Sequence, residues 1–301
     1  MSGRIRNVFC VDQLQEVTIE VNPGTVRAEQ IPLWRQCGIN RLSIGVQYAD
    51  SAVLARLNRF QVVGDLYQLF AVASKEFSNI SVDLMLGLPG VDAEGWRSFV
   101  REVVTWPIQH ISLYCLMVHE FTPLYYKVER GETILPDEGV IADLYCWAIE
   151  FLAKHGFMQY EVSNFARQGF ESQHNTVYWN RKPYKGFGLG ACSFDGSIRS
   201  MNEHNLMSYI DRVELGQDPT VFSEQLSFED IRLETLMLGL RRTMGIRYEQ
   251  LMEGLAPNEQ NKKKMKVEEL RDAGLLRIDG GKVMLTPAGF VLEQKLIAEL
   301  A

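Results

Sequence analysis

The segments EVTIEVN (Glu16–Asn22), RLSIGVQ (Arg41–Gln47) and ISVDLML (Ile80–Leu86) decide the fold. Each is rich in aliphatic and β-branched residues, and each alternates in polarity, which marks a strand with two unlike faces. In the first, Val17, Ile19 and Val21 take one face and Thr18, Glu20 and Asn22 the other. In the second, Leu42, Ile44 and Val46 oppose Arg41, Ser43 and Gln47, and in the third Val82 and Leu84 oppose Ser81 and Asp83. HISLYCL (His110–Leu116) and QYEVSN (Gln159–Asn164) complete the strand candidates. Helical stretches lie between them: Ala28–Cys37 closed by Gly38, Asp65–Phe77, Ala93–Thr105, and Glu138–His155 closed by Gly156. Strand and helix in alternation predict parallel strands joined by crossover helices. Parallel strands covered on both faces read apolar throughout, and these do not. The apolar faces therefore meet helices, and the polar faces point inward, around a barrel axis or into a wet crevice. Polar residues near the C-terminal ends of barrel strands read as ligand contacts. A solvated antiparallel face is the competing reading, and the intervening helices argue against hairpins.

Composition narrows the class. The 301 residues carry 31 Lys+Arg and 38 Asp+Glu, a net charge of −7, with 46% hydrophobic residues. That is a globular composition, and its acidity makes sequence-independent binding to phosphates a poor fit. No apolar run approaches the ~20 residues of a membrane helix, and the first residues, MSGRIRNVFCVDQLQ, lack a signal-peptide core. A soluble intracellular protein is expected, cytoplasmic or, in a eukaryote, mitochondrial. The 5 cysteines, Cys10, Cys37, Cys115, Cys146 and Cys192, form no C-x-x-C pair. They are expected as buried free thiols in a reducing compartment.

GFGLGA (Gly186–Ala191) has glycines in a G-x-G-x-G pattern with no good helix after it, so a tight backbone approach is expected rather than a dinucleotide loop. From about Pro219 the character changes. Helices are expected at Glu229–Arg241, Tyr248–Leu255 and Lys262–Ala273, followed by a hairpin, Leu275–Pro287, around Asp279-Gly280-Gly281, and a last helix, Ala288–Leu300. Helices followed by a β-ribbon resemble a winged helix. The run KKKMK (Lys262–Lys266) has Glu259, Glu268 and Glu269 beside it and reads as a solvated helix face, not a nucleic-acid contact.

The series VTIEVNPGT, GINRLSIGVQ, SVDLMLGLPG, HISLYCL, QYEVSNFARQG, HNTVYW and GFGLGA resembles the HemW branch of the radical S-adenosylmethionine (SAM) superfamily, which is related to the oxygen-independent coproporphyrinogen III oxidases. The likeness runs from about Glu16 to Ala191, and the tail resembles the family's C-terminal helical domain. It implies an α/β fold: a partial TIM-like (β/α) radical SAM barrel missing its first strands, with a C-terminal helical, winged-helix-like domain. Residues 1–218 would form the barrel with a heme-binding-type extension, and 219–301 the winged-helix-like domain. The resemblance assigns SAM contacts to Glu20, Gln47, Arg59 and Asp83, and backbone or apolar adenosine contacts to Met117 and Cys192. Carboxylates suit the hydroxyl and cationic groups of SAM, and a guanidinium suits its carboxylate. HNTVYW (His174–Trp179) matches the HNxxYW signature of the heme-binding branch, giving His174, Asn175, Tyr178 and Trp179 as heme contacts and His174 as a possible iron ligand. Read from the residues alone, a structural role is favoured for His174.

Two departures matter. The family's CxxxCxYC, whose thiolates hold a 4Fe-4S cluster, and its GGGTPS segment do not occur in this sequence. A chain beginning inside the fold is expected, with the strand Glu16–Asn22 at a sheet edge; a degenerate paralogue is the alternative. Asn58-Arg59-Phe60-Gln61 resembles the oxidases more than HemW. Three functions follow. The first is a heme chaperone that delivers heme to acceptor proteins, some of them reached by peripheral contact with a membrane. The second is a coproporphyrinogen III oxidase-type enzyme, and the third a non-catalytic remnant. Heme, SAM and, in the full-length family, a 4Fe-4S cluster are the implied cofactors, and no radical turnover is expected without cluster thiolates.

Overall fold

A computed structural model describes residues 13–59 and 63–301. Cys10, Phe60 and Gln61 lie outside the described residues. The chain divides into two compact units, the first ending at Glu171 and the second running from Ser172 to Ala301.

The first unit is built on a six-stranded sheet. Its strands are β1 (Thr18–Val21), β2 (Arg41–Gln47), β3 (Ile80–Leu86), β4 (His110–Cys115), β5 (Met158–Gln159) and β6 (Asn164–Ala166), in the order β1-β2-β3-β4-β6-β5. The first four pair in parallel, as the intervening helices require. Those helices are α1 (Gln30–Gln36), α2 (Ser51–Arg56), α3 (Val63–Glu76) and α4 (Ala93–Val103); α5 (Pro123–Glu129) and α6 (Glu138–Lys154) follow β4. The apolar strand faces are closed off: Leu42, Ile44, Val82, Leu84 and Ile111 are essentially inaccessible. Trp96 of α4 is buried and its indole N–H donates to the Met85 carbonyl at 3.2 Å, fixing helix to strand. Among the described residues β1 is an edge of the sheet.

The strand expected at Gln159–Asn164 is instead a tight hairpin. Met158 pairs with Ala166 and Gln159 with Phe165, antiparallel, and β6 pairs antiparallel with β4. The chain reverses between them because the Glu161 carboxylate accepts from the Ser163 N–H at 3.2 Å and from the Asn164 side chain. The cysteines also differ from expectation. Cys37, Cys115 and Cys192 are exposed, Cys146 is half-buried, and none of these four is in a disulfide.

The second unit opens with α7 (Gln173–Trp179), then an antiparallel sheet of β7 (Cys192–Phe194), β8 (Ile198–Asn202) and β9 (Thr220–Gln225), with α8 (Leu206–Glu214) between β8 and β9. The boundary read at residues 218/219 falls between β8 and β9, two strands paired in one sheet. GFGLGA is the tight backbone approach its glycines predict: a Cβ on Gly186 would collide with the Cys192 carbonyl, and Gly190 takes φ 64°. The tail holds α9 (Phe228–Leu240), β10 (Ile246–Arg247), α10 (Tyr248–Met252), α11 (Pro257–Asp272), β11 (Leu276–Asp279) and β12 (Lys282–Leu285). Gly280 and Gly281, at φ 53° and 72°, make the two-residue turn of the β11–β12 hairpin. β10 adds a third strand in the order β10-β12-β11. The last helix is two, α12 (Pro287–Val291) and α13 (Glu293–Leu300), broken at Leu292. Within KKKMK, Lys266 pairs with Glu269 at 2.9 Å and Glu299 at 3.5 Å, and Lys263 donates to the Leu300 carbonyl at 2.6 Å; Lys262 and Met265 are exposed.

Candidate functional site

Period-two alternation and the register place one set of side chains on the polar face of the parallel strands. Glu20 lies beside Ser43, Ser43 beside Ser81, Ser81 beside His110, and Asp83 beside Ser112. Asp83 is well enclosed. It accepts hydrogen bonds from Ser43, at 3.4 Å, and from Ser112. Burial pushes its carboxyl above the usual carboxylate range; the Ser112 hydrogen bond opposes this, the Glu20 charge adds to it, and Arg41 and Ser43 oppose it. Tyr114 is raised by burial and by the Asp83 charge. Below them, His110 is fully buried, with Nδ1 2.7 Å from Ser81 Oγ and Nε2 2.8 Å from Tyr160 Oη. Burial first, and the Arg41 charge second, hold its pKa down at about 3. The imidazole is neutral at physiological pH.

A second group gathers at the carboxyl end of β2. The β2–β3 register slips between Ile44 and Gln47, and Gln47 takes φ 64°, a left-handed conformation uncommon outside glycine. That kink turns the amide of Gln47 back over Gly45. A Cβ added at Gly45 would stand 3.0 Å from Asn22 Oδ1 and 3.3 Å from Gln47 Nε2. Glycine thus keeps open the space between Asn22 and Gln47. Arg59 Nη1 reaches Asn22 Oδ1 at 3.5 Å.

So the structure brings Glu20, Gln47 and Asp83 to one face and ties Arg59 to it through Asn22. Met117 lies past the end of β4 with its side chain exposed. Cys192 belongs to the second unit, on β7, near Tyr178 and Tyr184. The resemblance assigns no role to Asn22, Arg41, Ser43, Ser112 or His110. Strand alternation alone places them on this face.

In the second unit, Ser172 caps α7, its Oγ accepting from the Asn175 N–H at 3.2 Å. His174 is exposed and stands edge-on to Tyr178, four residues along, at 4.9 Å between ring centroids. Tyr178 meets Tyr184 at 4.5 Å, and Tyr184 meets Phe194 at 6.1 Å. An aromatic ladder therefore runs from His174 to β7. Burial, and then the nearby Cys192, raise the phenol of Tyr178. Trp179 takes another face of α7, where the Arg241 guanidinium lies 5.6 Å from its ring centroid. The Asn175 backbone serves the helix cap.

Comparison with known proteins agrees with this architecture. Residues 4–103 match the model of the radical SAM superfamily, and residues 226–292 match the HemN C-terminal domain. The chain is 32% identical to the heme chaperone HemW of Bacillus subtilis (strain 168) over 287 residues, covering 93% of this chain and 74% of that protein. The chain belongs to the HemW family of radical SAM proteins. HemW of Mycobacterium tuberculosis (strain ATCC 25618 / H37Rv) is 31% identical, over 98% of this chain and 74% of its own length. The mitochondrial radical S-adenosyl methionine domain-containing protein 1 of Bos taurus is 33% identical, over 95% and 67%. Coproporphyrinogen III oxidase (HemN) from Escherichia coli has the same fold, with a TM-score of 0.77 at 20% identity, over all of this chain and 74% of that one.

HemW-family membership implies SAM and a 4Fe-4S cluster. The polar face fits the first: it carries the Glu20 and Asp83 carboxylates, and the amides of Asn22 and Gln47 with the Arg59 guanidinium gather at the carboxyl end of β2. The residues at hand do not fit the cluster. CxxxCxYC does not occur in the sequence, and among the described residues no three His, Cys, Asp or Glu side chains are grouped to hold a metal ion. Heme fits the second unit, where an exposed imidazole, two tyrosine rings and a thiol lie together.

Proposed function

We propose that this chain is a heme carrier: it binds heme on the ladder beginning at His174 and passes it to acceptor proteins, and it binds SAM in the cup of the first unit. The observation that carries the heme reading is the exposed His174 ring set edge-on to Tyr178, with Tyr184 and Phe194 continuing the aromatic surface. A histidine nitrogen supplies an axial ligand to heme iron, and aromatic rings pack against porphyrin faces. Cys192, beside Tyr178 and Tyr184, adds a second soft donor to the same surface. An exposed ligand suits delivery, because a carrier must release what it binds. The relatives named heme chaperones support the same reading.

In the SAM cup, Glu20 and Asp83 are placed to accept from hydroxyl or ammonium groups, Gln47 to bond a polar edge, and Arg59 to hold a carboxylate. Met117 remains an apolar contact assigned by motif alone. Acceptor proteins are reached from solution or by peripheral contact with a membrane. Among the described residues no helix is long and apolar enough to cross one. Cytoplasmic residence, or mitochondrial in a eukaryote, accompanies this reading, and mitochondrial relatives exist.

The test is a hemin titration followed at the Soret band. The wild-type chain should give a saturable shift, and H174A should weaken binding at least about tenfold, the cost of an axial ligand at ~1.4 kcal/mol or more. An identical titration in H174A would refute the heme reading. The shared fold with HemN keeps a coproporphyrinogen III oxidase as a second reading. Anaerobic product analysis with coproporphyrinogen III separates the two.

A further inference from the structure

Arg41 is the one charged side chain on the polar face for which no motif provides a role. It is 5% exposed, at the start of β2 and in register with Thr18. Its Nε is buried without a hydrogen-bond partner, and among the described residues it forms no ion pair with a carboxylate. A guanidinium buried so deeply is costly unless something compensates it. The compensation here acts at a distance. Arg41 lowers the carboxyl of Asp83 and lowers the imidazole of His110 through charge alone, without touching either. In a poorly hydrated interior, charges several ångströms apart still interact by more than thermal energy.

The stand-off matters for binding. A direct Arg41–Asp83 bridge would occupy the carboxylate's lone pairs. As built, Asp83 accepts from Ser43 and Ser112 and keeps further acceptor capacity for a ligand. Burial raises Asp83 and the Glu20 charge adds to it, so a nearby cation offsets part of both. The groups acting on Asp83 are Glu20 from β1, Arg41 and Ser43 from β2 and Ser112 from β4; Tyr114 of β4 in turn feels Asp83 and Glu161 of the β5–β6 turn. Arg41 is the only cation among them.

We propose that Arg41 is a positioning residue of the cup, the buried cation that favours the Asp83 carboxylate without occupying its hydrogen-bonding positions. This rests on the reading of the cup as the adenosyl-ligand site, and the experiment separates the two. Chains carrying carboxyl-13C aspartate, with Asp83 assigned through D83N, are titrated by NMR without ligand as wild type, R41K and R41M. The Asp83 midpoint should rise by about one pH unit in R41M, a tenfold gain in proton affinity, and return toward wild type in R41K. Calorimetric titration with S-adenosyl-L-methionine across pH should show the acid limb of binding moving by the same increment. A residue that only fills space would lower the melting temperature and leave the Asp83 midpoint where it was; that result overturns the inference. If R41M does not fold, R41Q carries the same prediction. If the wild type binds no S-adenosyl-L-methionine while the Asp83 midpoint still moves, the charge-balancing role stands and the ligand reading falls.

Discussion

His110 shows how much one buried residue tells about this cup. Both ring nitrogens are engaged, by Ser81 and Tyr160, and burial beside Arg41 keeps the ring neutral down to about pH 3. In the unfolded chain the same ring takes a proton near its ordinary value of about 6.5. Between those values the unfolded state binds more protons than the folded one. Stability therefore falls as pH drops from about 6.5 toward 3, by up to ~1.4 kcal/mol per pH unit from this group. Asp83, raised by burial, works the other way: its contribution is present at low pH and is lost as pH rises through its folded value. That contribution is common to wild type and H110Q. Urea unfolding between pH 6.5 and 4.5 should show the wild type losing stability more steeply than H110Q. Parallel slopes would mean that the ring is protonated in the native state.

At the scale of elements, the bulge at the end of β2 shapes the proposed adenosyl-ligand site. Gln47 holds a left-handed backbone, which for a residue with a side chain costs of order 1–2 kcal/mol. The return is an amide folded back over Gly45 toward Asn22. Glycine at this position would relieve the strain and lose the amide. Q47G should keep or raise the melting temperature while weakening S-adenosyl-L-methionine binding about tenfold, the loss of one hydrogen bond to a charged partner. A lower melting temperature with unchanged binding would contradict this. The four parallel strands were legible because period-two polarity runs through each of them, and the same alternation exposed Glu20 and Asp83. The bulge was not legible, since nothing in GVQ shows a register slip. The hairpin read as a strand at Gln159–Asn164 has the apolar spacing of a strand; its reversal comes from the Glu161 and Asn164 side chains, which periodicity does not record. Helices α2, α5, α7 and α8 went unread because they run 6, 7, 7 and 9 residues. Their signals are mainly the caps Asp50, Thr122, Ser172 and Asn205.

At the scale of the molecule, the two proposed ligand surfaces belong to different compact units. Glu20, Gln47, Arg59 and Asp83 lie in the first, and His174, Tyr178, Tyr184 and Cys192 in the second. Motif order along the chain grouped Cys192 with the adenosyl contacts. Within its unit, Cys192 lies near the tyrosines of the ladder. Each surface is built from side chains of its own unit, so each ligand can be tested against the loss of the other. Hemin titration of the wild type, D83N and H174A, followed at the Soret band, tests the account most directly. D83N should bind hemin as the wild type does, and H174A at least about tenfold more weakly. Equal binding by the wild type and H174A would contradict it.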